Sequence, residues 1–273
     1  MEKYSTIRYW VEDLPKRGKN TFTQKEIEEH FPALPLQHIR NTLVRLAKKK
    51  KIQSIGRGFF VIVPVEYGLK GIVPPIEYID QMMKYLNREY YVGLLNAAAL
   101  HGAAHQQPQE FTLIVDTNNL RDKVKKGVKI NFVAKKNIPA SLIKQVMTKN
   151  GYVQVSNPEL TAMDLILYVR ETGGINRAAT VLDELAEVMD FSYIGQDFFA
   201  CFNVAVVQRL GYILDDILEQ KELADMLYQK ATAAGIHFRK YPVKVIGKEE
   251  KLSAYPVNDK WKIIINEQIE IDE

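Results

Sequence analysis

Leu36-Gln37-His38-Ile39-Arg40-Asn41-Thr42-Leu43-Val44-Arg45-Leu46-Ala47-Lys48-Lys49-Lys50-Lys51-Ile52-Gln53-Ser54-Ile55-Gly56-Arg57-Gly58-Phe59-Phe60-Val61-Ile62-Val63-Pro64 holds the pattern from which the rest of the chain can be read. Over residues 36–49 the apolar Leu36, Ile39, Leu43 and Leu46, with Ala47 beside them, fall on one stripe of a helix. Gln37, His38, Asn41, Arg45 and Lys48 gather on the opposite face. That face carries amide, imidazole, guanidinium and ammonium groups and no carboxylate, and residues 30–65 contain no acid at all. Amides can bond adenine through two atoms, guanidinium can do the same to guanine, and ammonium neutralises phosphate. After the lysine run, two apolar stretches flank Gly56-Arg57-Gly58, which reads as a β-hairpin with Arg57 at its tip.

Upstream, Ile7, Trp10, Val11 and Leu14 are spaced as one face of a first helix, closed by Pro15 and Gly18. Thr23-Gln24-Lys25-Glu26 has the spacing of a capping box and opens a second helix that Pro32 ends after about His30. Helix, helix, basic helix and hairpin within residues 1–64 is the order of a winged helix-turn-helix. Charge follows the same division. Residues 1–64 hold 13 Lys+Arg against 6 Asp+Glu, and residues 65–273 hold 24 against 27, so the whole positive excess sits in the first quarter of the chain. A field of one sign confined to one segment points to an anionic partner, DNA first. The candidate DNA-binding set is Gln37, His38, Asn41 and Arg45 toward bases, Lys48, Lys49 and Arg57 toward phosphates, and Thr42 beside them. A single winged helix makes few phosphate contacts, so two copies on a repeated site are expected, with the oligomeric state in solution open.

Pro64, Pro74 and Pro75 bracket a connection to a second unit at 76–273. Helices are expected over 76–86, 91–101, 158–169 (capped by Asn157), 175–189, 204–218 and from 222, with strands at 111–115, 128–133, 152–155 and near 261–265. Strands grouped before helices make the fold class α+β: an N-terminal winged helix-turn-helix domain followed by a larger α+β domain. Lys123, Lys125, Lys126, Lys129, Lys135 and Lys136 form a basic stretch that could touch nucleic acid, although lysines that guard a solvated strand edge explain it more simply.

Chemistry finds no foothold in this second unit. His101 and His105 have the spacing of two ligands on a helix, but Gly102, Ala103 and Ala104 stand where a metalloprotease carries its base. Asp215-Asp216 point about 100° apart on a helix and lack a third ligand. Cys201 lies in an apolar run, Phe198-Phe199-Ala200-Cys201-Phe202, and as the single cysteine it forms neither an internal disulfide nor a metal cluster. Glycine-rich nucleotide loops and the nucleophile elbow of serine hydrolases are absent. The expectations are a non-enzymatic protein with no cofactor and no metal. With a charged N-terminus, one cysteine and no apolar run near 18 residues, a cytoplasmic location with no membrane partner is expected too.

Four stretches resemble the AbiEi family of bacterial antitoxins, also described as transcriptional regulators of abortive-infection toxin–antitoxin systems. They are Gly58-Phe59-Phe60-Val61-Ile62-Val63-Pro64, Tyr90-Tyr91-Val92-Gly93-Leu94-Leu95-Asn96-Ala97-Ala98-Ala99-Leu100-His101-Gly102, Asn157-Pro158-Glu159-Leu160-Thr161-Ala162-Met163-Asp164-Leu165 and Val207-Gln208-Arg209-Leu210-Gly211-Tyr212-Ile213-Leu214. The resemblance implies an antitoxin of a type IV system that serves phage defence. Its winged helix would bind inverted repeats of operator DNA in its own promoter and repress transcription. Its C-terminal domain would oppose a nucleotidyltransferase-like toxin without a stable complex. The recognition-helix residues come from helical geometry alone and are not carried over from the family. The competing reading is a one-component regulator whose second unit senses a small ligand.

Overall fold

Local capping starts the first helices. In the computed structural model, which describes residues 6–56, 58–103, 108–125, 127–245 and 252–271, the Thr6 side chain accepts from the Tyr9 amide and opens α1 (Ile7–Asp13). After β1 (Thr21–Thr23), the Thr23 hydroxyl accepts from the Glu26 amide while the Glu26 carboxylate accepts from that of Thr23, and this capping box opens α2 (Gln24–His30). α3 (Leu36–Lys48) follows Pro35, then β2 (Ile52–Gly56) and β3 (Phe59–Ile62) form the expected antiparallel hairpin. Gly56 and Gly58 take φ of +133° and +74°, a backbone that favours glycine and lets the hairpin reverse. β1, which the sequence reading does not anticipate, pairs with β3 and makes a three-stranded sheet in the order β1-β3-β2, with Phe22 opposite Phe60. Their rings stack at 5.3 Å in a core shared with Ile7, Trp10, Ile27, Ile39, Leu43 and Leu46.

The next elements are α4 (Ile79–Leu86), β4 (Tyr90–Val92), α5 (Leu94–Leu100), β5 (Glu110–Val115), β6 (Lys123–Lys125), β7 (Val128–Ala134), β8 (Ile143–Thr148) and β9 (Gly151–Ser156). β4 to β9 form a sheet in the order β6-β7-β5-β4-β9-β8; β4 and β9 run parallel with Val92 opposite Val155, and β6 and β7 antiparallel with Val124 opposite Lys129. Helices then dominate: α6 (Pro158–Leu167), α7 (Val169–Thr172), α8 (Ile175–Ala186), α9 (Gln196–Ala200), α10 (Val204–Tyr212), a π-helical turn at Ile213–Ile217 and α11 (Lys221–Ala233). β10 (Tyr241–Pro242) and β11 (Ile263–Ile264) pair in parallel. The fold is α+β, as expected.

Two expectations are corrected here. The start of the helix read over 91–101 is strand: Tyr90-Tyr91-Val92 is aromatic and β-branched, and pairing with β9 captures it before α5 begins. β6, β8, β10, α7 and α9 go unread in the sequence. The long helix expected over 204–218 ends as α10 at Tyr212 and continues as the π-helical turn.

Contacts divide the chain into one unit of Met1–Tyr90, Asn119–Asn131 and Gln145–Gln154 and another of Tyr91–Asn118, Phe132–Lys144 and Val155–Glu273. This division differs from the boundary expected between residues 64 and 76. In the first unit that connection is packed: Val73 is buried, its amide donates to the buried Gln53 side chain at 2.7 Å, and Tyr85 of α4 lies 5.5 Å from the Phe59 ring.

The second unit has its own core, which includes Leu160, Leu182, Leu210, Leu227 and Trp261. Two glycines permit its closest approaches. A Cβ on Gly93 would stand 2.7 Å from Ile114, and one on Gly211 would stand 2.1 Å from the Trp261 ring. Asn157 caps α6, its side chain accepting from the Leu160 amide at 2.8 Å, as its place before Pro158 predicts.

Candidate nucleic-acid interface

α3 divides along its length. Ile39, Thr42, Leu43 and Leu46 are buried, while Gln37, His38, Arg40, Asn41, Val44, Arg45, Lys48 and Lys49 are exposed. The Gln37 amide donates to the Asn41 side-chain oxygen at 3.0 Å, one turn along, so the two amides share an orientation. The helix begins at Pro35 without a side-chain cap.

Most of the residues chosen from the sequence therefore share one solvent face, and the structure adds to and subtracts from them. Thr42 is only 6% exposed. It follows Ile39 by three residues and precedes Leu46 by four, which puts it on the same side as both, so its side chain offers nothing to a ligand. Leu36, counted with the apolar stripe, is 51% exposed. Two residues of the face were missed: Arg40, and Val44, an aliphatic side chain 54% exposed among polar neighbours. The helical angle alone could have found Val44, which lies within about 60° of Gln37, Asn41 and Lys48, whereas Arg40 lies about 100° from Asn41 and beside Ala47 at the border of the apolar stripe. Beyond the helix, Lys49 and Lys51 are exposed, whereas the Lys50 ammonium donates to the Leu69 carbonyl at 2.6 Å. Arg57 lies outside the described residues.

The basic stretch of the middle sequence does not survive as one surface. Lys135 is buried, its ammonium 2.6 Å from the Asp164 carboxylate and 4.3 Å from the centre of the Phe202 ring. Asp164 is fully buried and also accepts from the Tyr91 hydroxyl at 2.5 Å. Burial pushes the Asp164 carboxyl upward against the opposing pull of Lys135 and Tyr91, and the same burial, with the carboxylate beside it, pushes the Tyr91 hydroxyl up. Lys123 contacts the Met82 sulfur at 3.8 Å, Lys136 is exposed, and Lys126 lies outside the described residues.

The remaining candidates for chemistry are bound into the structure. His101 Nε2 lies 2.7 Å from the Ser156 carbonyl; His105 lies outside the described residues. Asp215 accepts from Lys221 and Lys260 at 2.7 and 2.6 Å and from the Trp261 indole at 2.9 Å. Burial alone would raise its carboxyl, but these three donors outweigh burial and hold it at about 2. The Cys201 thiol is half-buried, donates to the Asp197 carbonyl and is pushed up by burial. Among the described residues no group of three or more His, Cys, Asp or Glu is placed to hold a metal, and no helix is long and apolar enough to cross a membrane.

No curated protein matches the chain in sequence. Among solved structures, the RV2827C protein from Mycobacterium tuberculosis is similar in fold, with a TM-score of 0.64 at 11% identity over 94% of this chain and 90% of that one. An antigenic nucleotidyltransferase-like protein from Paracoccidioides brasiliensis overlaps 57% of this chain and 91% of its own at 11% identity and a TM-score of 0.38, too loose a likeness to carry weight. Residues 91–216 match the family described as the AbiEi antitoxin C-terminal domain.

Proposed function

We propose that this chain is an antitoxin of the AbiEi kind, a reading the domain match over residues 91–216 supports, and that it is also the repressor of its own promoter. In this reading residues 1–64 form a winged-helix DNA-binding domain, and α3 enters the major groove of an inverted repeat. The observation that carries the reading is the solvent face of α3, where Gln37, His38, Arg40, Asn41, Arg45, Lys48 and Lys49 are exposed without a carboxylate among them. Arg45 and the Gln37–Asn41 pair present the donors and acceptors that read purine edges, Val44 supplies an apolar contact of the kind a thymine methyl takes, and Lys48, Lys49 and Arg57 meet phosphates. The domain match supports a partner toxin, and the reading places this chain in a type IV abortive-infection system opposite a nucleotidyltransferase-like toxin, without a stable complex between them and with no cofactor or catalysis of its own.

An electrophoretic shift on the chain's own upstream DNA, against unrelated DNA at about 50 and 200 mM salt, tests the repressor. The expected result is a preference for the upstream DNA that weakens steeply with salt; equal affinity for both DNAs would remove autoregulation. Co-expression with the neighbouring gene tests the antitoxin: growth arrest by that gene alone, relieved by this chain, is the expected outcome.

A further inference from the structure

The second unit carries a half-open cavity of about 600 Å³, within the range of small-molecule sites. Ile166 of α6, Ile175 of α8, Val206 of α10 and Val243 form apolar wall, and Arg209 of α10 lines the same space together with Arg170, Lys244 and the acidic Glu171 and Glu267. The Arg209 Nε donates to the Pro242 carbonyl at 2.9 Å. Its two terminal nitrogens have no acceptor among the described residues, and burial lowers its pKa, as expected for a cation drawn out of water without a counter-charge. The neighbouring cation is different: Lys244, also on the lining, meets the Glu267 carboxylate at 2.6 Å. The wall is built in advance, because the buried Gln208 side chain donates to the Arg239 carbonyl at 2.7 Å and to that of Trp261, holding the segment that leads to Val243 against α10.

A planar guanidinium with one edge fixed to a backbone carbonyl and the other free suits a two-oxygen anion, which accepts two parallel N–H bonds. The aliphatic part of the wall and the carboxylates of Glu171 and Glu267 disfavour a nucleic-acid backbone, whose charge repeats along its length, and suit a molecule with one charged end. We propose that this cavity binds a small organic acid, its carboxylate on the terminal nitrogens of Arg209 and its apolar body against Ile166, Ile175, Val206 and Val243. The site is independent of DNA binding by α3, so a negative gel shift leaves it untouched.

The test is isothermal titration of the full chain with octanoate, with 1-octanol as the uncharged control. Octanoate is expected to bind one site, and octanol at least about tenfold more weakly, since it leaves the guanidinium unanswered. Arg209→Leu is expected to erase the preference for octanoate. Arg209→Lys, which keeps the charge without the fork, should retain part of it. Ile175→Trp, which fills the cavity and leaves Arg209 in place, should abolish binding of both. Thermal melts of each variant show that it is folded. No heat with octanoate, equal affinity for octanol, or octanoate binding unchanged in folded Arg209→Leu or Ile175→Trp would each overturn the proposal.

Discussion

Single residues carry consequences here that their types do not announce. Lys135 and Asp164 are charged residues 29 positions apart, and each compensates the other where water is absent. Removing one charge from such a pair is costly, whereas replacing both by apolar groups of similar volume can be neutral. Lys135→Met is therefore expected to lower unfolding free energy by about 3–5 kcal/mol in denaturant titration, and Lys135→Met with Asp164→Leu to recover most of that loss. Gly211 makes a different demand. A methyl group there would sit inside the Trp261 ring, which is fully buried and has no room to turn, so Gly211→Ala is expected to cost about 3 kcal/mol by overpacking, read as a lower melting temperature. The sequence shows a lysine stretch and a helix glycine; neither contact can be inferred without the partner that folding brings.

At the scale of elements, the N-terminal helices were the most legible part of the chain, because the forces that form them act within about four residues. The capping box is one case. Thr23→Ala removes the acceptor for the Glu26 amide and is expected to lower stability by about 1 kcal/mol without changing the α3 face. α3 is another, and its two kinds of side chain predict two kinds of defect. Arg45→Ala should cost about 1–3 kcal/mol at one operator position, while Lys48→Ala should weaken binding to all DNA alike and reduce the dependence of log affinity on log salt by about one. If both variants bind as the parent does, α3 is not the reading helix. The periodicity that identified α3 placed Gln37, His38, Asn41, Arg45 and Lys48 outward, and Val44, within about 40° of Gln37 and Lys48, belongs with them by the same rule; Arg40 and Thr42 flank the apolar stripe, and only packing decides that Arg40 is exposed and Thr42 buried.

Across the whole second unit, Asp215 joins segments far apart in the chain. It ties the π-helical turn to Lys221 at the start of α11 and to Lys260 and Trp261 near the C-terminal strand. Its folded carboxyl is held at about 2, below the ordinary value near 4, so the ionised form is favoured by folding. That contribution, on the order of 2 kcal/mol, is present above about pH 4 and is lost as pH falls toward 2. Asp215→Asn should be less stable than the parent at pH 7, and the difference should shrink between about pH 4 and pH 2 in denaturant titrations.

The sequence by itself determined the helices with clear caps and 3.6-residue spacing, the hairpin after the lysine run, the α+β class and the concentration of positive charge in residues 1–64, because each depends on neighbours along the chain or on composition alone. Tertiary structure decided the rest. Tyr90-Tyr91-Val92 became a strand because β9 was there to pair with it, Thr21-Phe22-Thr23 became one beside β3, and Lys135 left the surface because Asp164 awaited it. The physical reason is common to all three: hydrogen bonds between strands and charges in a low-dielectric interior stabilise only when a distant partner arrives, and no local pattern records where that partner is.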